Sequence, residues 1–293
     1  MRAKKKRRNR TLLVFMASYA LAFAVLCGIA FTAVAALRPR EAPKSIQEPS
    51  AYLPGAEDER TLLLLFADGG EPVGCTLISL SALRKEIPVA TLPAQTLLKL
   101  LEREDTVAGL FESGGAGRVA DAVEETFQIT VDGYLLFDPE SLAAAIDATG
   151  PVEFDMPFAL GTEGEDGSGL AKGSQRLDGR LLAGVVFFPQ YSGGEETRAK
   201  LISDLCEAYI RQRLAAFESG AAEKSFKAAI TSVKTDVSFR DFEEFREALG
   251  FLAGELKQPG GLRLVYVVTA DGRFEQNGFV LNDICRHRIG GLM

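Results

Sequence analysis

The stretch Thr61–Leu92, TLLLLFADGGEPVGCTLISLSALRKEIPVATL, holds three short apolar runs separated by turn residues. Thr61–Ala67 ends at Asp68-Gly69-Gly70-Glu71-Pro72, Cys75–Leu80 follows, and Ile87–Leu92 comes after the polar turn Ser81–Glu86. Runs of this length bounded by Gly, Pro and acidic residues predict three adjacent strands. The unbroken leucines of the first place it in the interior with both faces covered.

Downstream the period changes. Thr96–Glu102 reads as helical, and Arg118–Phe127 sets Val119, Ala122, Val123 and Phe127 on one helical face. Ile129–Phe137 reads as strand, Asp138–Ala148 as a helix with Pro139 in its first turn, and Pro151–Asp155 as strand. A Gly-rich acidic loop, Gly161–Gly173, leads through the apolar Leu181–Phe188 to an amphipathic helix from Glu195 to Phe217. Ser238 with Asp241 starts a helix bearing Phe239, Phe242, Phe245, Leu249 and Leu252, and Leu262–Thr269 is a late strand. The fold class is therefore α/β. Residues 61–290 form one domain whose central mixed β-sheet contains 61–67, 75–80, 87–92 and 130–137, flanked by helices that include 195–217 and 239–253.

Upstream of that domain, residues 38–60 hold Pro39, Pro43, Pro49 and Pro54 among polar residues and read as a linker. Before it, residues 11–37 form 27 positions without a charge, preceded by seven Lys/Arg in residues 1–10. As a helix that run reaches about 40 Å against a hydrocarbon core of about 30 Å. The expectation is a basic cytoplasmic tail, one transmembrane helix and an extracytoplasmic domain at the cell membrane. Ala33-Val34-Ala35 also fits a signal-peptidase site, but the run exceeds the roughly 7–15 apolar residues of a cleaved signal, which favours an anchor.

Charge and composition remove several functions. Residues 1–40 hold nine Lys/Arg and no Asp/Glu, so residues 41–293 carry 24 against 40, a formal charge of −16. Nonspecific nucleic-acid binding rests on cations that neutralise phosphates, so no nucleic-acid partner is expected. One histidine cannot build a polyhistidine zinc centre, and a catalytic triad would have to use His287. Four cysteines are too few for a disulfide framework. With Cys27 in the apolar run, Cys75, Cys206 and Cys285 are read as free thiols over a single disulfide. Gly114-Gly115-Ala116-Gly117 precedes a helix and reads either as a phosphate cradle or as a turn that needs small residues. Glu163, Glu165 and Asp166 lack calcium-loop spacing.

The order of segments resembles the LytR-CpsA-Psr family of membrane-anchored envelope enzymes, which transfer glycopolymers from a polyprenyl-pyrophosphate carrier to the Gram-positive cell wall. Leu62–Asp68 stands where that family has a strand ending in Gly-Thr-Asp, and Ile87–Thr96 where it has Ile-Pro-Arg-Asp-Thr. Gly114–Phe137 matches its helix-then-strand passage, and Gly150-Pro151-Val152 its Gly-Gly-Val turn. Leu177-Asp178-Gly179 equals its Leu-Asp-Gly. The resemblance implies a phosphotransferase with arginines on a diphosphate and carboxylates on a magnesium ion.

The departures bear directly on that activity. Against Arg-Ser-Asp-Thr the chain reads Val73-Gly74-Cys75-Thr76, and against Pro-Arg-Asp-Thr it reads Pro93-Ala94-Gln95-Thr96. Against Val-Arg-Phe-Arg it reads Val185-Val186-Phe187-Phe188, and the Gly-Arg-x-x-Arg-Gln helix start becomes Gly194-Glu195-Glu196-Thr197-Arg198-Ala199. Asp68 and Arg198 survive. By the resemblance, Asp68 is the metal-positioning and catalytic carboxylate and Arg198 the phosphate-holding catalytic cation. Each also has a plain reading, Asp68 as a strand-end polar residue and Arg198 as the partner of Glu195, Glu196 or Asp204. One carboxylate and one guanidinium are too few for a diphosphate and its magnesium. The sequence thus favours a catalytically lapsed binding or scaffold module for a prenyl lipid, a wall polymer or a membrane partner, needing no cofactor. The alternative is an active phosphotransferase using magnesium. Protease added to intact protoplasts is expected to remove the extracytoplasmic domain and leave the anchor; full protection of the domain would refute the topology.

Overall fold

Leu62 faces Ile78 and Phe66 faces Gly74 across an antiparallel ladder between β1 (Glu59–Asp68) and β2 (Glu71–Ser81). β3 (Ile87–Pro93) pairs antiparallel with the other side of β2. This computed structural model describes residues 52–161 and 169–292. The expectations for the basic tail, the membrane span and nearly all of the linker fall outside the described residues, as do Glu163, Glu165 and Asp166. Among the described residues no helix is long and apolar enough to cross a membrane.

The central sheet has six strands. β6 (Gly133–Phe137) lies parallel to β1, β9 (Lys234–Thr235) antiparallel to β6, and β10 (Val265–Val267) parallel to β3, in the order β10-β3-β2-β1-β6-β9. The sheet is mixed, with helices on both faces. Leu63 and Leu65 of β1 point into one core with Val119, Ala122 and Val123 of α1 (Val107–Phe127). Phe66 points into the other, formed by α2 (Pro139–Thr149), α3 (Gly179–Val186) and α4 (Gly194–Ala215). Alternation along a strand puts consecutive side chains on opposite faces, so a strand covered on both sides reads as a continuous apolar run.

α5 (Ser219–Ile230) precedes β9, and α6 (Phe239–Leu256) begins with the expected capping box. The Ser238 and Asp241 side chains each meet the other residue's backbone N–H. Phe245, Ala248 and Leu252 of α6 close a third apolar cluster against Ile87 and Val89 of β3.

Several expectations are corrected. Thr96–Glu102 is not helical: β4 (Leu97–Leu100) and β5 (Arg103–Thr106) form a hairpin turned by Leu101 and Glu102, at φ of 52° and 60°. Leucines at 97, 98, 100 and 101 satisfy either period, and tertiary bonds decide between them. Lys99 N–H donates to Thr126 Oγ1 and Leu101 N–H to Glu125 Oε2, tying the hairpin to α1. α1 begins at Val107, eleven residues before Arg118, and is broken at Gly115. The Gly114–Gly117 run is therefore a helix break over the sheet.

Val152–Met156 is β7, but it pairs only with β8 (Gly173–Leu177), outside the central sheet. The strand expected over Ile129–Phe137 is confined to β6, and the late strand to β10. A terminal hairpin, β11 (Gly272–Glu275) and β12 (Gly278–Leu281), followed by α7 (Asp283–Leu292), was not anticipated. It completes the first core through Phe279, Cys285 and Ile289. Cys75, Cys206 and Cys285 are free thiols, as expected.

The Leu-Asp-Gly segment has a structural account. Leu177 is fully buried, and Asp178 caps α3 by accepting from Leu181 N–H at 2.9 Å. Gly179 packs so closely on α2 that a Cβ would sit 2.1 Å from the Ala143 carbonyl oxygen, while its N–H donates to Asp147 Oδ1. Gly179→Ala is expected to cost roughly 1–3 kcal/mol by overpacking. Asp178→Ala should cost about 1 kcal/mol as a lost cap. Urea unfolding of both variants measures this, and a neutral Gly179→Ala would refute the close approach.

Candidate functional site

Asp68 ends β1 in the tight turn Asp68-Gly69-Gly70-Glu71, where both glycines take positive φ, 57° and 92°. Two successive positive-φ residues suit the twist of a two-residue hairpin, and this explains the paired glycines. Asp68 is exposed, and among the described residues its carboxylate makes no ion pair or side-chain hydrogen bond. No group of three or more carboxylate, imidazole or thiol side chains that could hold a metal ion occurs among the described residues. Asp68 and Glu71 of the same turn are too few to hold a magnesium ion without oxygens supplied by a ligand.

Arg198 is in a different environment. It is only 6% exposed, one turn into α4. Its Nη2 donates to the Phe188 and Pro189 carbonyls at 2.6 and 3.1 Å, and its Nη1 to Glu195 Oε2 at 3.1 Å. The guanidinium also lies over the Tyr191 ring, 5.3 Å from its centroid. Tyr191 in turn donates its hydroxyl to the Val185 carbonyl at 2.5 Å, and burial pushes its pKa up. Arg198 thus fastens the loop leaving α3 to the start of α4. The ion pair with Glu195 anticipated from the sequence is present, but in a buried setting rather than on a solvated face. No hydrogen bond or ion pair among the described residues joins Asp68 to Arg198.

The residues standing where the resemblance expects arginines are part of the packing. Val186 is 2% exposed inside the core beneath α3. The Phe187 ring meets Phe66 edge-on at 6.4 Å, and Phe188 meets Tyr191 edge-on at 5.8 Å. An arginine at 186 would bury an unpaired cation among aliphatic side chains, a cost of several kcal/mol. Burial also pushes the Cys75 and Cys206 thiols up to about 12, which keeps them protonated and unreactive.

A cleft of about 350 Å³ opens on the other face of the α4 N-terminal half. Its lining comes from Thr91 of β3, from Glu196, Thr197, Ala199, Lys200 and Ser203 of α4, from the segment Thr269–Gly272, and from Asn282 before α7. Thr91 and Ser203 are each 2% exposed and form its floor. Ser203 Oγ donates to Thr91 Oγ1 at 2.8 Å and accepts from Thr91 N–H at 3.1 Å, and Thr91 Oγ1 shares a 2.9 Å bond with Thr76 Oγ1. Glu196 and Asp271 stand exposed at the rim, while Lys200 is paired with Asp204 at 2.7 Å.

The sequence reading missed this cleft. Thr91 lies in an apolar run and Ser203 on a long helix, and the 269–282 wall follows the last expected strand. Only the hydroxyls breaking the apolar period at Thr91 and Ser203 could have signalled it.

A model of the LytR_cpsA_psr family matches residues 77–254. The polyisoprenyl-teichoic acid–peptidoglycan teichoic acid transferase TagU of Halalkalibacterium halodurans is 26% identical over 225 residues, covering 73% of each chain. Among solved structures, TagV of B. subtilis is similar with a TM-score of 0.66 at 15% identity, over 81% of this chain and 96% of that one. TagT, solved bound to LIIa-WTA, has a TM-score of 0.58 at 16% identity, over 80% of this chain and 89% of that one. Likeness at such identities concerns the fold.

Arg198→Lys keeps the charge but loses the fork that spans two carbonyls and a carboxylate. Each charged hydrogen bond contributes about 1.5–3 kcal/mol, so a loss of about 2 kcal/mol or more is expected in chemical unfolding. An unchanged midpoint would show that the clamp is dispensable.

Proposed function

The chain belongs to the LytR-CpsA-Psr family, and from that premise we propose that it is a membrane-anchored, extracytoplasmic envelope protein that binds a wall glycopolymer without transferring it. The observation that carries this reading is the state of Arg198. The one retained cation is buried and committed to the Phe188 and Pro189 carbonyls and to Glu195, and is not presented to a ligand. Phosphoryl transfer from a diphosphate carrier needs several preorganised charges acting together. Asp68 shares an exposed turn with Glu71 and belongs to no group of three or more metal-binding side chains among the described residues.

The anchoring half of the proposal is supported by residues 1–37, seven basic positions followed by 27 without charge. The ligand half is supported by the polarity of the cleft, whose hydroxyl, amide and carboxylate lining suits a saccharide better than a prenyl chain. The names of TagU and of TagT bound to LIIa-WTA refer to teichoic acid, which makes a wall polymer the natural class to test.

The decisive experiment uses the full chain in detergent with lipid-linked polymer, acceptor wall and magnesium, beside calorimetry with magnesium–pyrophosphate. No transfer is expected. Three forfeited contacts of about 1.5 kcal/mol or more each correspond to pyrophosphate affinity lower by about three decades than in a transferring relative. Transfer, or micromolar magnesium-dependent binding abolished by Asp68→Ala, would restore the enzyme reading.

A further inference from the structure

The cleft beside α4 differs from a phosphate site in the direction of its hydrogen bonds. Ser203 Oγ gives its proton to Thr91 Oγ1, and Thr197 Oγ1 gives its proton to the Gly193 carbonyl at 3.0 Å. Each hydroxyl oxygen keeps lone-pair capacity and has no proton left for a ligand. Lys200 is drawn to Asp204, and Asn282 uses its carbonyl oxygen on the Cys285 N–H at 2.7 Å. Glu196 and Asp271 add carboxylates, acceptors only, with no ion pair to another described residue. The positive end of α4 is already met by Glu195 and Glu196 in its first turn.

A diphosphate would face the unpaired carboxylates of Glu196 and Asp271 here, against donors limited to the Asn282 amide and a Lys200 ammonium already shared with Asp204. The matching ligand is rich in donors, carries positive charge and tolerates a polar floor. The cleft volume is at the lower end for small-molecule sites, and no aromatic ring lines it.

We propose that the cleft bounded by Thr91, Glu196, Ser203, Asp271 and Asn282 binds an amine-bearing saccharide unit, its ammonium between Glu196 and Asp271 and its hydroxyls on the Ser203 and Thr197 oxygens. The Asn282 amide N–H groups remain for a sugar oxygen. This names the ligand chemistry of the binding function proposed above and rests on that reading. It also gives Glu196 a ligand, while Glu195, standing where the resemblance expects a cation, is paired with Arg198.

The test titrates the full chain in detergent with a glucosamine tetramer, its fully N-acetylated counterpart and magnesium–pyrophosphate, at pH 6 and moderate salt. The glucosamine oligomer should bind, and acetylation should weaken it at least tenfold by removing the ammonium. Glu196→Gln and Asp271→Asn should each weaken binding about tenfold, whereas Glu104→Gln, an exposed carboxylate on β5 outside the cleft, should leave it unchanged. Silence of the glucosamine oligomer, equal binding of the acetylated form, or an equal effect of Glu104→Gln would overturn the ligand assignment. Binding of magnesium–pyrophosphate would instead overturn the non-transferring reading, so the two failures are distinguishable.

Discussion

Burial of both faces of β1 organises the domain. Leu63 and Leu65 must be covered on one side and Leu64 and Phe66 on the other, and no single layer of helices can do both. The chain meets this by laying α1 and the terminal hairpin with α7 over the first face, and α2, α3 and α4 over the second. Parallel pairing with β6 follows from that arrangement, since a helix must carry the chain back across the sheet before β6 can align with β1. The positions of Asp68, of the loop after α3 and of the start of α4 all follow from where β1 stops.

At that end of the sheet packing side chains occupy positions 186 and 188, where the resemblance expects arginines. Val186 is core, Phe187 and Phe188 pack on Phe66 and Tyr191, and Arg198 is turned onto backbone carbonyls. A buried guanidinium is tolerable only when most of its donors are met, and its Nε–H here is not. The remaining contacts, with two carbonyls, a carboxylate and the Tyr191 ring, hold a loop in place. In this chain Arg198 is committed to that loop.

The opposite face of α4 illustrates how a helix serves two environments. Residues 198 and 202 face the apolar core, and 196, 199, 200 and 203 face the cleft, a division that 3.6 residues per turn makes inevitable. The Thr76, Thr91 and Ser203 hydroxyls run inward from the cleft floor as a satisfied network between sheet and helix. Because the Ser203 proton goes to Thr91, the Ser203 oxygen meets the cleft as an acceptor. That property cannot be read from the identity of the residues alone.

By itself the sequence determined the three leading strands, the alternation that makes the fold α/β, the Ser238 cap, and the loss of cations at several family positions. These are local matters: strand period, cap chemistry and charge are carried within a few residues. Tertiary structure decided the rest. Leu97–Leu101 became a hairpin because Thr126 and Glu125 accept its backbone N–H groups, a contact separated by more than twenty residues. Arg198 became a clamp because the Phe188 and Pro189 carbonyls are folded back within its reach. The cleft exists only where β3, α4 and the segment before α7 converge, with Thr91 and Asn282 nearly two hundred positions apart. No period or motif marks such a convergence, because hydrogen-bond direction and concavity depend on which distant surfaces the buried strand brings together.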